Sequence, residues 1–350
     1  MSAPAPSTLA GRDADRRIRA LRPPKPFVDP YMAHGSVIDE ERLPNGKVER
    51  ALTIFLAGAE CPFTCSFCDL WKYTTDTPTP PGALPGQIEQ TLKTLDRPWP
   101  ERLKLYNASN FFDHRAVPLG DVPAVAKLAE PFAGVTVESH VNTIGRETLA
   151  FASQLSGQLE VAVGLETIHP VAATRLNKRL DLARFDSAAR LLADHAIDLR
   201  VFVLLGAPFV PDEESVAWTV RSVEYAVERG ASVVSIIPVR GGNGEMERLQ
   251  ALGEFTPPTL SQLEDALADA LQFTGAVVTA DLWDAEQLPG CDRCRSERIE
   301  RLRRINLSGR AEARIGCAVC DCHREQRRNE GSALSSISSR GGAASSLRSE

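Results

Sequence analysis

Residues 51–68 read Ala51-Leu52-Thr53-Ile54-Phe55-Leu56-Ala57-Gly58, then Ala59-Glu60-Cys61-Pro62-Phe63-Thr64-Cys65-Ser66-Phe67-Cys68. The first half is a short aliphatic run of the kind that forms a strand buried on both faces. The second half sets three cysteines at x3 and x2 spacing directly after that strand. Five further runs repeat the first, at residues 102–106, 135–138, 159–164, 199–205 and 232–238. Helical stretches lie between them. Val216, Val220, Val223 and Val227 keep the spacing of one buried helix face, and Pro211-Asp212 supplies a start signal. Phe185, Ala189 and Leu192 mark a second helix, which Asp181 can cap; Ser261 and Glu264 make a capping box for a third that runs through Leu271. Strand and helix in alternation predict an α/β fold: a parallel sheet with right-handed crossovers, either open or a partial barrel. Ligands in such sheets sit at the carboxyl ends of the strands.

The chain has 350 residues, enough for one large α/β domain with appendages, since barrels of about 250 residues form single units. With 43% hydrophobic and 25% charged residues, wholesale disorder and collagen-like architecture are excluded. A net charge of −6 excludes a uniformly basic nucleic-acid coat and leaves room for a local basic patch. No run approaches the ~18 apolar residues of a membrane span. The opening MSAPAPSTLAGRDADRRIRA lacks the apolar region of a secretory leader, so a cytoplasmic location is expected. In that reducing setting, eight cysteines point to metal or catalytic thiols before disulfides.

The cysteines fall into two groups: Cys61, Cys65 and Cys68, then Cys291, Cys294, Cys317, Cys320 and Cys322. Gaps this short suit a metal, because thiolates must converge on a centre about 2.3 Å away. The expected organisation is an N-terminal arm and lead-in over 1–49, a core over 50–284, a cysteine-rich metal-binding module over 285–325 and a disordered Ser/Gly-rich tail over 326–350. Residues 1–27, rich in Ala, Pro and Arg with little apolar periodicity, are expected to form a mobile basic arm.

Three thiolates in one loop can hold three corners of a cubane iron–sulfur cluster and leave one iron open. Zinc is the rival metal, but no histidine lies near enough in sequence to complete a local site. Cys61-x3-Cys65-x2-Cys68, with Phe67 before the last cysteine and a strand before the loop, resembles the radical S-adenosylmethionine (SAM) superfamily. The resemblance implies a partial (β/α)6 TIM-type barrel and a 4Fe-4S cluster on Cys61, Cys65 and Cys68. It also implies SAM bound at the open iron, its reductive cleavage to a 5′-deoxyadenosyl radical, and an electron donor such as flavodoxin or ferredoxin. Phe67 is counted with the cofactor-binding residues. Asn107 and Ser109 follow the second predicted strand, where the superfamily places a loop for the SAM amino group; its usual Gly-Gly-Glu is absent here. Glu166, and secondly Glu138, stand at strand ends where a carboxylate can face the amino group or ribose of SAM. The bland alternative is that both are solvated rim residues. His114, His140 and His169 also lie near strand ends and receive no role.

Phe111-Phe112-Asp113, Gly164-Leu165-Glu166-Thr167, Leu176-Asn177-Lys178, Phe202-Val203-Leu204-Leu205 and the cysteine-rich C-terminus follow in an order similar to one branch of that superfamily. The branch holds the Elongator catalytic subunit, the tRNA methylthiotransferases and a radical-SAM subunit of archaeosine synthase, and the likeness is greatest to the last. The second cysteine group resembles two halves of a metal knuckle, for a structural zinc or an auxiliary iron–sulfur cluster. Arg293, Arg295, Arg298, Arg301, Arg303, Arg304, Arg310 and Arg314 surround it. They suit RNA phosphates, or ion pairs with Glu297, Glu300 and Glu312. The first substrate expectation is a nucleoside in RNA, with tRNA as partner and a partner subunit allowed for. Radical chemistry on a small metabolite or peptide is the alternative. A non-catalytic metal-cluster protein that binds nucleic acid is the reading from another class.

Overall fold

The computed structural model describes residues 9–320. Among them are eight strands: β1 (Gly35–Arg42), β2 (Val48–Phe55), β3 (Arg102–Tyr106), β4 (Gly134–Ser139), β5 (Gln158–Glu166), β6 (Asp198–Leu205), β7 (Val233–Pro238) and β8 (Val277–Ala280). The helices are α1 (Leu9–Leu21), α2 (Ala83–Lys93), α3 (Val122–Ala129), α4 (Arg146–Ala152), α5 (Pro170–Arg175), α6 (Leu182–Asp194), α7 (Ser215–Glu228), α8 (Glu245–Ala251), α9 (Leu260–Ala270) and α10 (Arg295–Ser308). The strands lie in sequence order in one sheet. β1 runs antiparallel to β2, and β2 to β8 are all parallel.

A salt bridge shows that this sheet is curled. Glu41 on β1 accepts from Lys104 on β3 at 2.7 Å and also pairs with Arg200 on β6 at 2.7 Å. Five strand spacings separate β1 from β6, about 24 Å if the sheet were flat. No two side chains bridge that distance, so the sheet is a partial barrel with this cluster inside it. Glu160 completes the cluster, taking Arg200 at 2.9 Å and the Thr136 hydroxyl at 2.8 Å. The two cations overcome the burial of Glu41 and hold it down at about 2.

The open side is closed by a helix. α10 packs against both edge strands, β1 and β8. Its Asn306 amide donates to the Ala280 carbonyl at 2.8 Å and accepts from the Ala280 N–H at 2.9 Å, so a side chain takes the place of a ninth strand. Asn306→Ala should leave both backbone groups unpaired and cost about 1–3 kcal/mol. Urea denaturation would read this, and an unchanged midpoint would contradict the sealing role.

All six predicted strands are present, the first starting three residues earlier than expected. The two additions are β1, whose Gly-Ser-Val-Ile-Asp-Glu-Glu-Arg is too polar to stand out, and the four-residue β8. Asp181 caps α6 as expected, accepting from Ala183 at 3.0 Å, and Phe185, Ala189 and Leu192 are buried beneath it. Two local expectations are corrected. The capping box of α9 is made by Thr259 and Gln262, while Ser261 and Glu264 lie inside the helix and meet Arg298 instead. The buried face of α7 is Ser215, Thr219, Ser222, Val223 and Ala226, so the valine stripe flanks the contact and only Val223 sits within it. Small residues let α7 come close to β6, where the Thr219 hydroxyl reaches the Leu204 carbonyl at 3.0 Å.

The arm expected to be mobile contains α1, and α1 is docked. Ile18 is buried, and Asp15 accepts from Thr64 and Asn177 and pairs with Arg179. Arg17 pairs with Glu245, and Arg22 reaches Glu60 at 2.7 Å with its guanidinium 4.7 Å from the Trp71 ring. These contacts are charged and polar, so apolar periodicity carried no trace of them. Residues 1–8, Cys322 and the tail expected to be disordered lie outside the described residues.

Candidate active site

The cysteine loop leaves β2 at the carboxyl-terminal mouth of the barrel and is pinned from three directions. The Ser66 N–H donates to the Leu176 carbonyl at 2.9 Å. Asn177 donates to the Thr64 carbonyl at 2.8 Å, and Asn243 donates to the Ser66 and Cys68 carbonyls at 2.8 and 3.2 Å. A loop whose carbonyls are held by buried amides keeps its thiols in place without a regular element beneath it. Phe63 stacks on His140 with ring centroids 4.1 Å apart. Phe67 packs on the apolar cluster of Leu204, Ala207, Val239 and Met246.

Around the thiols the other strand ends contribute polar groups. Asn110 donates to the Cys61 sulfur at 3.3 Å and accepts from the His140 N–H at 2.7 Å. His140 Nδ1 accepts from Asn142 and Nε2 lies 3.1 Å from the Lys178 carbonyl, a pattern met by a neutral ring protonated on Nε2. Burial and the nearby Lys178 cation lower His140 to about 4, in keeping with that tautomer. Lys178 reaches Glu166 at 2.5 Å. Burial opposes its charge, but Glu166 and the sulfurs of Cys65 and Cys61 outweigh it and raise Lys178. Burial of the Glu138 carboxyl, against the N–H groups of Ala108 and Asn107 that it accepts from, pushes it up to about 7.

The backbone is strained here. Ala108, Glu166, Asn177 and Arg179 all have positive φ, at 53°, 68°, 57° and 58°. Glu166 follows a register shift between β5 and β6 that turns its carboxylate onto Lys178. Non-glycine residues in this region cost about 1–2 kcal/mol each and persist where surroundings hold them. A Cβ on Gly164 would strike both the Glu166 carboxylate and the Lys178 ammonium. Gly164→Ala is therefore expected to displace this pair while the fold survives. If the pair serves the reaction, turnover should fall by about 10²-fold with iron content unchanged; full turnover would remove the pair from the site.

The two cysteine groups differ in size. Among the described residues, only Cys291, Cys294, Cys317 and Cys320 bring three or more metal-type donor atoms within 4.8 Å of one another. Cys61, Cys65 and Cys68 face one another at longer range, near enough for Cys61 and Cys68 to raise Cys65 further above what burial alone does. Burial also pushes Cys68 up, to about 12. Buried thiols of this kind ionise when a cationic centre supplies the missing charge. A cubane, in which each thiolate caps its own iron, calls for thiols spaced more widely than around a single ion. Beside them, both polar atoms of the buried Asn107 amide and the Ser109 hydroxyl are unpartnered. Each unmade bond costs about 1–3 kcal/mol, and together they offer donors and acceptors to a polar ligand such as the amino-acid end of SAM. The residues present thus fit both a cluster and SAM.

Glu166 and Lys178 meet beside the cysteines, while Glu138 is held by the loop that carries Asn107 and Ser109. Glu166 is buried and paired, so the solvated-rim alternative does not describe it. Asn110, His140, Lys178 and Asn243 were not singled out as site residues. Asn110 and His140 lie just past strand ends and Lys178 in the Leu176-Asn177-Lys178 segment, which are usable signals; Asn243 arrives from a distant loop, which is none. The arginine run is largely engaged with carboxylates. Arg298, Arg301 and Arg314 converge on Glu264, and Arg295, Arg303 and Arg304 pair with Asp292, Glu300 and Glu312.

No family model matches the chain. Among curated proteins, archaeosine synthase subunit beta of Methanosarcina acetivorans is 24% identical over 296 residues, covering 80% of this chain and 85% of the relative. The chain is similar to archaeosine synthase subunit beta. The segment order of the sequence likewise resembles a radical-SAM subunit of archaeosine synthase. Among solved structures, a radical SAM methyltransferase from Sphaerobacter thermophilus matches with a TM-score of 0.48 at 14% identity, over 72% of this chain and 77% of the other. The archaeal Elp3 of Methanocaldococcus infernus gives 0.47 at 13% identity, over 64% and 58%. No helix among the described residues is long and apolar enough to cross a membrane.

Proposed function

We propose that the chain is a radical SAM enzyme whose 4Fe-4S cluster is held by Cys61, Cys65 and Cys68. The observation that carries the reading is the pinned three-thiol loop at the barrel mouth, beside the unpartnered buried amide of Asn107. When bound, cluster and SAM supply reductive cleavage to a 5′-deoxyadenosyl radical, which abstracts hydrogen from the substrate. The chain's own part is to bind, orient and exclude water. Asn177 and Asn243 fix the loop that presents the thiols. Asn107 and Ser109 offer hydrogen bonds to the SAM amino-acid group, Glu138 holds their loop in place, and the Glu166–Lys178 pair sets a carboxylate and an ammonium beside them. Neutral His140 braces Phe63 and the Lys178 backbone without adding charge next to the thiols.

The substrate class we propose is a nucleoside in RNA, supported by the likeness to archaeosine synthase subunit beta. A subunit name in that relative also supports a partner chain, and the reaction needs a cytoplasmic electron donor of the flavodoxin or ferredoxin kind. The ion-paired arginines lend RNA binding little, so a small metabolite or peptide stays as the second reading. Anaerobic reconstitution with reductant and SAM tests the enzyme: 5′-deoxyadenosine is expected, and its absence would sink the reading. Modified nucleosides in RNA from deletion and parent cells test the substrate: one missing nucleoside is expected, and identical profiles would favour the small molecule.

A further inference from the structure

We propose that Cys291, Cys294, Cys317 and Cys320 hold a single tetrahedral zinc ion, so that the second metal site is not an auxiliary iron–sulfur cluster. The four sulfurs lie within 4.8 Å of one another, and those of Cys294 and Cys320 are 3.7 Å apart. Four thiolates around one zinc at about 2.3 Å form a tetrahedron with edges of about 3.8 Å. In a cubane each thiolate caps a separate iron with sulfides between, which sets the corner sulfurs well beyond that spacing. The 3.7 Å separation is equally far from the ~2.05 Å of a disulfide.

The chain builds this site in two halves. Cys291 and Cys294 lie just before α10, with Cys294 at its N-cap position. The segment after α10 folds back along it, because Arg301 donates to the Glu312 and Ala313 carbonyls at 2.7 and 2.8 Å and Arg314 pairs with Asp265. That return carries Cys317 and Cys320 to the first pair. Each half is a Cys-x2-Cys chelate, and two such chelates closing on one ion leave no open position, the mark of a structural zinc. Held this way, the ion fixes the start of the helix that seals the barrel between β1 and β8.

Metal analysis of the full chain tests this apart from any activity. In wild-type protein reconstituted anaerobically, about one zinc and about four irons per chain are expected. The Cys61→Ala/Cys65→Ala/Cys68→Ala variant should lose its iron and keep its zinc. Cys294→Ser should do the reverse. Iron retained by the triple variant, as a cluster or a lone ion, would overturn the assignment, and so would wild-type protein with about eight irons and no zinc. If a variant fails to fold, cobalt exchange into the wild type decides: the intense visible bands of tetrahedral cobalt thiolate support the site, and their absence refutes it.

Discussion

Cys61→Ala protein, reconstituted without oxygen, is expected to hold no catalytic iron and to release 5′-deoxyadenosine only at background. Cys61 supplies one of three thiolates, and its sulfur is the acceptor for Asn110, which in turn holds the His140 backbone. Methyl in place of thiol removes a ligand from a centre with none to spare and leaves the Asn110 amide without its partner. Iron content, the signal of the reduced cluster in electron paramagnetic resonance, and the nucleoside product should fall together. Zinc content serves as the control, since Cys291, Cys294, Cys317 and Cys320 form a separate group. A Cys61→Ala protein that still cleaves SAM would contradict the assignment outright.

Glu264→Gln should be the most damaging single change to stability. Its carboxylate is buried in α9 and faces three guanidiniums, those of Arg298 at 2.7 Å, Arg301 at 3.1 Å and Arg314 at 3.8 Å. Removing the negative charge leaves buried cations around a neutral amide, and breaking a buried pair in this way costs about 3–5 kcal/mol. Urea denaturation should show the loss as a lower midpoint with an unchanged slope. Glu312→Gln, at the exposed pair with Arg304, should change little under the same conditions. Equal effects at the two positions would show that the buried cluster has no special weight.

The legible parts of this chain are those where one physical rule acts alone. Aliphatic runs buried on both faces, as at Val161, Ala162 and Val163 or Val233 and Val234, announced their strands, and the cysteine spacing announced two groups of thiols. β1 was hidden because its inward Glu41 pairs with Lys104 and Arg200, which inverts the usual apolar signal. α1 was hidden for a related reason, as Asp15, Arg17 and Arg22 dock it through charge. Arginines that looked like a phosphate surface serve Glu264 across α9 and α10, and only tertiary structure brings those helices together. Lys178 stood in the Leu176-Asn177-Lys178 segment without a role, and Asn243 joins the site through a loop with no periodic pattern, so nothing local could nominate it.

The docking of α1 ties distant parts of the chain together. Arg17 on this helix has its partner, Glu245, 228 residues further along the chain, and Asp15 has Asn177, 162 residues on. Asp15 also accepts from the Thr64 hydroxyl, so the same helix touches the cysteine loop itself. The full cover of α1 over Thr64 thus depends on segments that carry Asn177 and Glu245, far apart in the sequence.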